Sequence, residues 1–294
     1  MAWIIVTLTA ACFQIARTSE QHRLRAVLGV AEAGYVRFVY AFPAAAVASS
    51  VWFGFRGTLP APPTEFWLWV TVAGVSQIAA TMALLHSFRL RDFAVGTIYS
   101  KTEVLFVSAA SALVLGESIG WVGWVGAVLC LAGVAFLAAR GQMASVLSEG
   151  LDPAAWFGMA AAAGFAMAAV GIRGASSQLD GTAVDRAAVT LTAMLGVQTL
   201  IQGLAIARSP TSSLRRVARA WRRAALVALL SLLGSAAWAL ALSLENAAKV
   251  RTLGQIEIVL ACVIGISVHG EAHERREYVA GAATVIGIVL MVIA

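Results

Sequence analysis

Two stretches decide the reading: Ile98-Tyr99-Ser100-Lys101-Thr102-Glu103 and Leu253-Gly254-Gln255-Ile256-Glu257. Each sets a carboxylate inside a long apolar run. Glu103 stands 14 residues before the Glu of Gly116-Glu117, and Glu257 stands 14 residues before the Glu of Gly270-Glu271. The offset of 154 residues also brings Val114 onto Val268, Val125 onto Val279 and Gly133 onto Gly287. Only six of the 41 positions between 97–137 and 251–291 are identical, so the weight rests on the shared mid-run Glu and the shared Gly-Glu.

Outward from these stretches the chain is apolar almost throughout. Of 294 residues, 60% are hydrophobic and 12% charged, roughly half the charged fraction of a soluble domain. The mean hydropathy is +0.84. Crossing a bilayer takes about 20 mostly apolar residues as a helix. Ten such runs are present, near 2–17, 30–54, 66–88, 93–115, 119–139, 153–173, 184–207, 223–243, 248–268 and 277–294. They are long and lack period-2 alternation, so helix is expected over strand. The first run has no basic segment before it and reads as a retained helix rather than a signal peptide. This composition excludes a soluble enzyme and a disordered chain. The net charge of +6 does not point to nucleic acid, because membrane proteins collect Arg and Lys in cytoplasmic loops.

The repeat divides the chain into residues 1–140, a connection at 141–152, and residues 153–294. Five spans per half is odd, so the second half enters the membrane from the opposite side. The expected fold is therefore an all-α membrane protein of ten transmembrane helices, arranged as two inverted five-helix repeats. Both halves are covalently present, so a monomer suffices.

The repeated Glu, the Gly-Glu turns, and Gly133 and Gly287 resemble the EamA-type transporters of the drug/metabolite transporter superfamily. Arg37, in Val36-Arg37-Phe38, resembles that family's common Arg near the start of the second helix. The Pro that many members carry early in the fourth and ninth helices is absent here. The resemblance implies a secondary transporter, an exporter rather than an importer, of small polar or amphipathic metabolites, amino-acid-like or drug-like. It implies alternating access without a bound cofactor, in the lipid bilayer of a bacterial inner membrane. The alternatives are a transporter of sugar-nucleotide or lipid-linked substrates, or a non-transporting scaffold or receptor. A phosphate-bearing substrate would want several cationic residues at depth, and only Lys101 and Arg37 stand out.

A mid-membrane carboxylate costs about 2.5–3.5 kcal/mol on insertion scales, which makes Glu103 and Glu257 the leading site residues. They are expected to bind protons as coupling ions, or cationic groups, unless they form ion pairs that lock the bundle. Tyr99 lies four residues before Glu103, a spacing that shares a helix face, whereas Lys101, two before it, cannot. Lys101 and Tyr99 would orient a solute. Gln255 takes the place of Lys101 in the second half, so the site is not charge-symmetric. Arg37 needs a partner on another helix, either structural or in the central site. Gln14, Gln77 and His86 read as helix–helix hydrogen-bond partners, and Trp67, Trp69, Trp121 and Trp124 as interface anchors.

No metal site is expected. Cys12, Cys130 and Cys262 are widely spaced, and His269-Gly270-Glu271-Ala272-His273 lacks the HExxH order. No nucleophile elbow or phosphate-binding loop occurs, so no enzyme is expected. Odd-numbered connections hold 14 of the 21 Arg and Lys residues. Even-numbered ones hold Arg56, Arg173, Lys249 and Arg251. The positive-inside rule then places the segment around 208–223 in the cytoplasm and both termini outside.

Overall fold

The computed structural model describes residues 1–24, 28–90, 93–139, 152–210, 213–260 and 275–294. The regular structure of these residues is helical. The helices are α1 (Ala2–Leu24), α2 (Val30–Val39), α3 (Ala41–Arg56), α4 (Thr64–Leu90), α5 (Phe93–Ser100), α6 (Glu103–Leu115), α7 (Gly120–Ala139), α8 (Pro153–Ser177), α9 (Ala183–Arg208), α10 (Leu214–Arg219), α11 (Trp221–Leu244), α12 (Ala247–Gly254) and α13 (Arg275–Ile293). Residues 256–260 are also helical. Among the described residues eight helical segments are long and apolar enough to cross a membrane, and Ala2–Arg17 is a shorter apolar stretch. The chain is thus a multi-pass membrane protein. Gly270-Glu271, the flanking His269 and His273, Cys262 and the connection at 141–151 lie outside the described residues.

Three expected helices are interrupted. The run at 30–54 breaks at Tyr40 into α2 and α3. Pro43 explains it: it has no N–H for the carbonyl of Val39, and its ring crowds that carbonyl. The fourth run breaks at Lys101-Thr102 with no proline in it. The backbone tightens there, with Thr102 N–H donating to Tyr99 O (3.2 Å) and Leu105 N–H to Thr102 O (3.0 Å). The Ser100 hydroxyl donates to Thr97 O (2.7 Å) and the Thr102 hydroxyl to Tyr99 O (2.6 Å), which satisfies carbonyls near the break. The ninth run breaks at Gln255, whose N–H turns back to Thr252 O (3.0 Å). Residues 101 and 255 are equivalent under the 154-residue offset.

Local chemistry sets the ends. Asp152 accepts from Ala155 N–H (2.8 Å) ahead of Pro153 at the start of α8. Thr182 and Asp185 form a reciprocal capping box on α9. Gly116 closes α6 at φ 70°, a left-handed conformation open to glycine at no steric cost. The Gly of the first Gly-Glu signature is therefore a helix stop.

The chain forms two compact units, each drawn from both sequence halves. The first holds Met1–Val75 and Gly171–Leu244. In it α1 packs on α11, where Trp238 Nε1 donates to Gln14 Oε1 (3.1 Å), and α2 and α3 pack on α9. At the far end of α3 the buried Asp185 accepts from Trp52 Nε1 (2.7 Å), Arg56 (3.2 Å) and Thr182. On α2, Glu32 Oε1 accepts from Ser213 N–H (2.6 Å) and from Arg216 (2.7 Å). Tyr40 donates to Val217 O (2.8 Å), so α10 is tied down at two points. Gly174 of α8 lies against the Trp69 ring, so that ring packs on a neighbouring helix.

The second unit holds Ser76–Val170 and Glu245–Ala294. Here α7 and α13 make the closest approach. A Cβ added at Gly126 would meet Gly287 O at 2.7 Å and Met291 N at 2.8 Å, and Gly133 faces Thr284 and Ala280 with as little room. Small residues at such a seam let backbones touch where no hydrophobic force drives helices together. His86 packs against Phe157 with the rings tilted by 60° (4.5 Å between ring centres), and Gly164 seats on Ala80.

Candidate functional site: a four-charge cluster at two helix breaks

The second unit brings α6 and α12 side by side and antiparallel. As numbering rises along one it falls along the other: Asn246 meets Ser111, Arg251 meets Glu103, and Glu257 meets Lys101. Asn246 also caps α12 by accepting from Ala248 N–H (2.7 Å) and donates to Glu117 O (3.2 Å). Glu117 thereby lies in the link between the end of α6 and the start of α12.

Below that link are two ion pairs. Arg251 Nε donates to Glu103 Oε1 at 2.6 Å, and Lys101 Nζ donates to Glu257 Oε1 at 2.8 Å. The side chains are largely withdrawn from solvent: 6% exposed for Glu103, 17% for Arg251, 13% for Lys101 and 17% for Glu257. The formal charges cancel. Each repeated carboxylate is paired with a cation from the opposite half of the sequence. Pairing is what makes buried charge tolerable, because each partner supplies the field that water would have supplied.

The helix breaks place these groups. Glu103 opens α6, with Thr102 before it in helical conformation and no side-chain cap. Lys101 sits on the break itself, which lets it reach a different partner from Glu103. Gln255 occupies the equivalent break, 3% exposed. Its Nε2 reaches Arg251 O at 3.4 Å, and its Oε1 is buried without a hydrogen bond. Thr252 Oγ1 is another buried atom without a bond. The cluster therefore includes unspent polar capacity beside spent charge.

Tyr99 does not share a helix face with Glu103, because the break falls between them. Its Cβ lies against Gly158, and its ring joins the packing of Ile98, Ala139 and Ala154. Arg37 is in the first unit, on α2, and is taken up below. The sequence reading missed Arg251 by counting it with a connection, although the ninth run as read encloses it. The signal was an Arg inside an apolar helix that also carries a repeated Glu. Arg173, likewise counted with a connection, lies within α8 and donates to Leu242 O (3.1 Å) and Ser243 O (3.3 Å).

A solved crystal structure superposes with a TM-score of 0.68 at 16% identity, covering 99% of this chain and 97% of its own, which shows a common fold. Among curated proteins none matches the chain. Residues 1–139 match the model of the EamA-like transporter family, consistent with the drug/metabolite transporter superfamily that the sequence motifs resemble.

Proposed function

We propose that this chain is a secondary active transporter that exports small polar or amphipathic metabolites, amino-acid-like or drug-like, by alternating access in a bacterial inner membrane. The observation that carries the proposal is the pair of crossed ion pairs, Arg251–Glu103 and Lys101–Glu257, at the breaks of two discontinuous helices. Discontinuous helices at membrane depth are where secondary transporters hold substrates and coupling ions. A neutral lattice of four charges can be opened in two ways. A proton on either Glu releases its cation, and a cationic solute group can displace Lys101 or Arg251 from its carboxylate. Either event frees a cation to meet an incoming anion, and loss of the proton or solute restores the pair, as a reversible cycle requires.

Inverted repeats are part of the proposal, and the helix pairing supports them. Numbering the runs one to ten, the second packs on the seventh, the fourth on the ninth and the fifth on the tenth, each pair joining repeat-equivalent helices. The first packs on the eighth, and the third lies on the sixth through Ala73–Gly171 and Ala80–Gly164. Those two pairs are each other's image under exchange of the halves. Exchange of the two sequence halves maps this pairing table onto itself, as inverted repeats require.

In this mechanism Glu103 and Glu257 hold protons or cationic groups, and Lys101, once released, faces a solute carboxylate. Gln255 offers its free oxygen to a solute N–H or O–H, and Tyr99 holds the break in place. Purified protein in liposomes, offered labelled amino acids and amphipathic cations with and without a pH gradient, tests this. Gradient-driven accumulation of at least one solute is expected. Absence of flux across the panel would leave the ion pairs as a structural lock.

A further inference from the structure

We infer that Arg37 is a binding site for the oxyanion of a small solute, a carboxylate or phosphate. Arg37 lies in α2 and is 9% exposed, with Nε buried and without a hydrogen bond. Among the described residues no acid, carbonyl or hydroxyl engages its guanidinium, and its one ring contact is with its chain neighbour Phe38, 5.4 Å from the ring centre. The acid on its own helix is fully engaged: Glu32 accepts from Arg216, from Ser213 N–H and, through its second oxygen, from Gly29 N–H. Among the described residues, the charge that acts on Arg37 is another cation, Arg17 of α1.

The facing helix α9 contributes a second unspent group. Gln202 sits against Gly34, one turn before Arg37 on α2, and its buried Oε1 has no hydrogen bond. A buried donor on α2 and a buried acceptor on α9, both without a hydrogen bond, therefore lie on helices that pack together. A guanidinium in an apolar surround with another cation nearby is costly to keep. Its planar fork of N–H groups matches a carboxylate or phosphate, which would supply the missing charge. An accompanying N–H or O–H on the same solute would use Gln202 Oε1. The role as a substrate site rests on the transport reading above, whereas the binding itself does not.

The test is thermal unfolding of the purified full-length protein in detergent. Sodium acetate, glutamate, malate and phosphate are compared with sodium chloride at equal ionic strength, with phosphatidylglycerol as a separate arm. At least one soluble oxyanion should raise the midpoint of the wild type by several degrees and leave Arg37→Gln unmoved, with Arg37→Lys between them. Without added oxyanion, Arg37→Gln should unfold at the wild-type temperature or above it, since it removes an uncompensated charge. No oxyanion-specific shift in the wild type, an equal shift in Arg37→Gln, or a shift with phosphatidylglycerol alone would overturn the assignment. So would an unliganded Arg37→Gln that melts several degrees early, because that marks a structural partner. Unfolding reads binding and the liposome assay reads flux, so the two proposals fail separately.

Discussion

Arg251 and Glu103 are joined by a 2.6 Å hydrogen-bonded ion pair that links the fourth and ninth apolar runs, although 148 residues separate them in sequence. The hydrogen-bonded counter-charge of each comes from the other half of the chain, although Glu257 of its own run also acts on Arg251. Removing one partner takes that counter-charge from the other. Glu103→Ala should therefore destabilise the protein by about 3–5 kcal/mol, the usual cost of leaving one member of a buried pair alone. The double change Glu103→Gln with Arg251→Gln should cost much less than the sum of the two single changes. A double-mutant cycle read by thermal unfolding checks this, and additive effects would show that the pair is energetically idle.

The seam between α7 and α13 should be intolerant of bulk at defined positions. Gly133→Ala puts a methyl group against Thr284 and the Ala280 carbonyl, and Gly287→Ala puts one against the Cys130 backbone. Backbone cannot swing aside as a flexible side chain can, so each should cost about 1–3 kcal/mol. Gly281→Ala, on the same α13 but with nothing within 4 Å, should be neutral or slightly stabilising. Equal effects at Gly133 and Gly281 in a detergent melting assay would argue against the close seam.

The arginine distribution predicts the orientation. Arg173 and Arg251 move from even-numbered connections into helices, where they bond backbone carbonyls and Glu103. The odd-numbered side keeps Arg215, Arg216, Arg219, Arg222 and Arg223, all exposed. Ala218→Cys, exposed among them, should be labelled by a membrane-impermeant thiol reagent only after the cells are opened. Labelling in intact cells would reverse the assignment and place both termini in the cytoplasm.

The apolar runs were legible because bilayer thickness imposes a length that few other structures need. Glu103 and Glu257 were legible because charge inside such a run is rare. The breaks were harder. Pro43 explains the one at Tyr40, and the reading of 30–54 as one helix passed over it. The breaks at Lys101-Thr102 and Gln255 have no proline. They depend on tertiary pairing and on hydroxyls that turn inward, which a single sequence does not display. For the same reason the i, i+4 relation of Tyr99 to Glu103 failed, since it assumes unbroken helix. Arg251 was visible as a residue, but its partner was not, because antiparallel register between distant helices is a property of the fold.

The central claim is that the crossed pairs open and close during transport. Its most direct test is proton-gradient-driven flux in liposomes for wild type, Glu103→Gln and Glu257→Gln, with folding of each verified by melting. Gln keeps the shape and one acceptor but neither the charge nor a titratable proton. The account predicts folded proteins, each losing at least tenfold of the gradient-driven flux of a solute that the wild type accumulates. Wild-type flux in both variants would contradict it and leave the Arg251–Glu103 and Lys101–Glu257 pairs as structural fastenings.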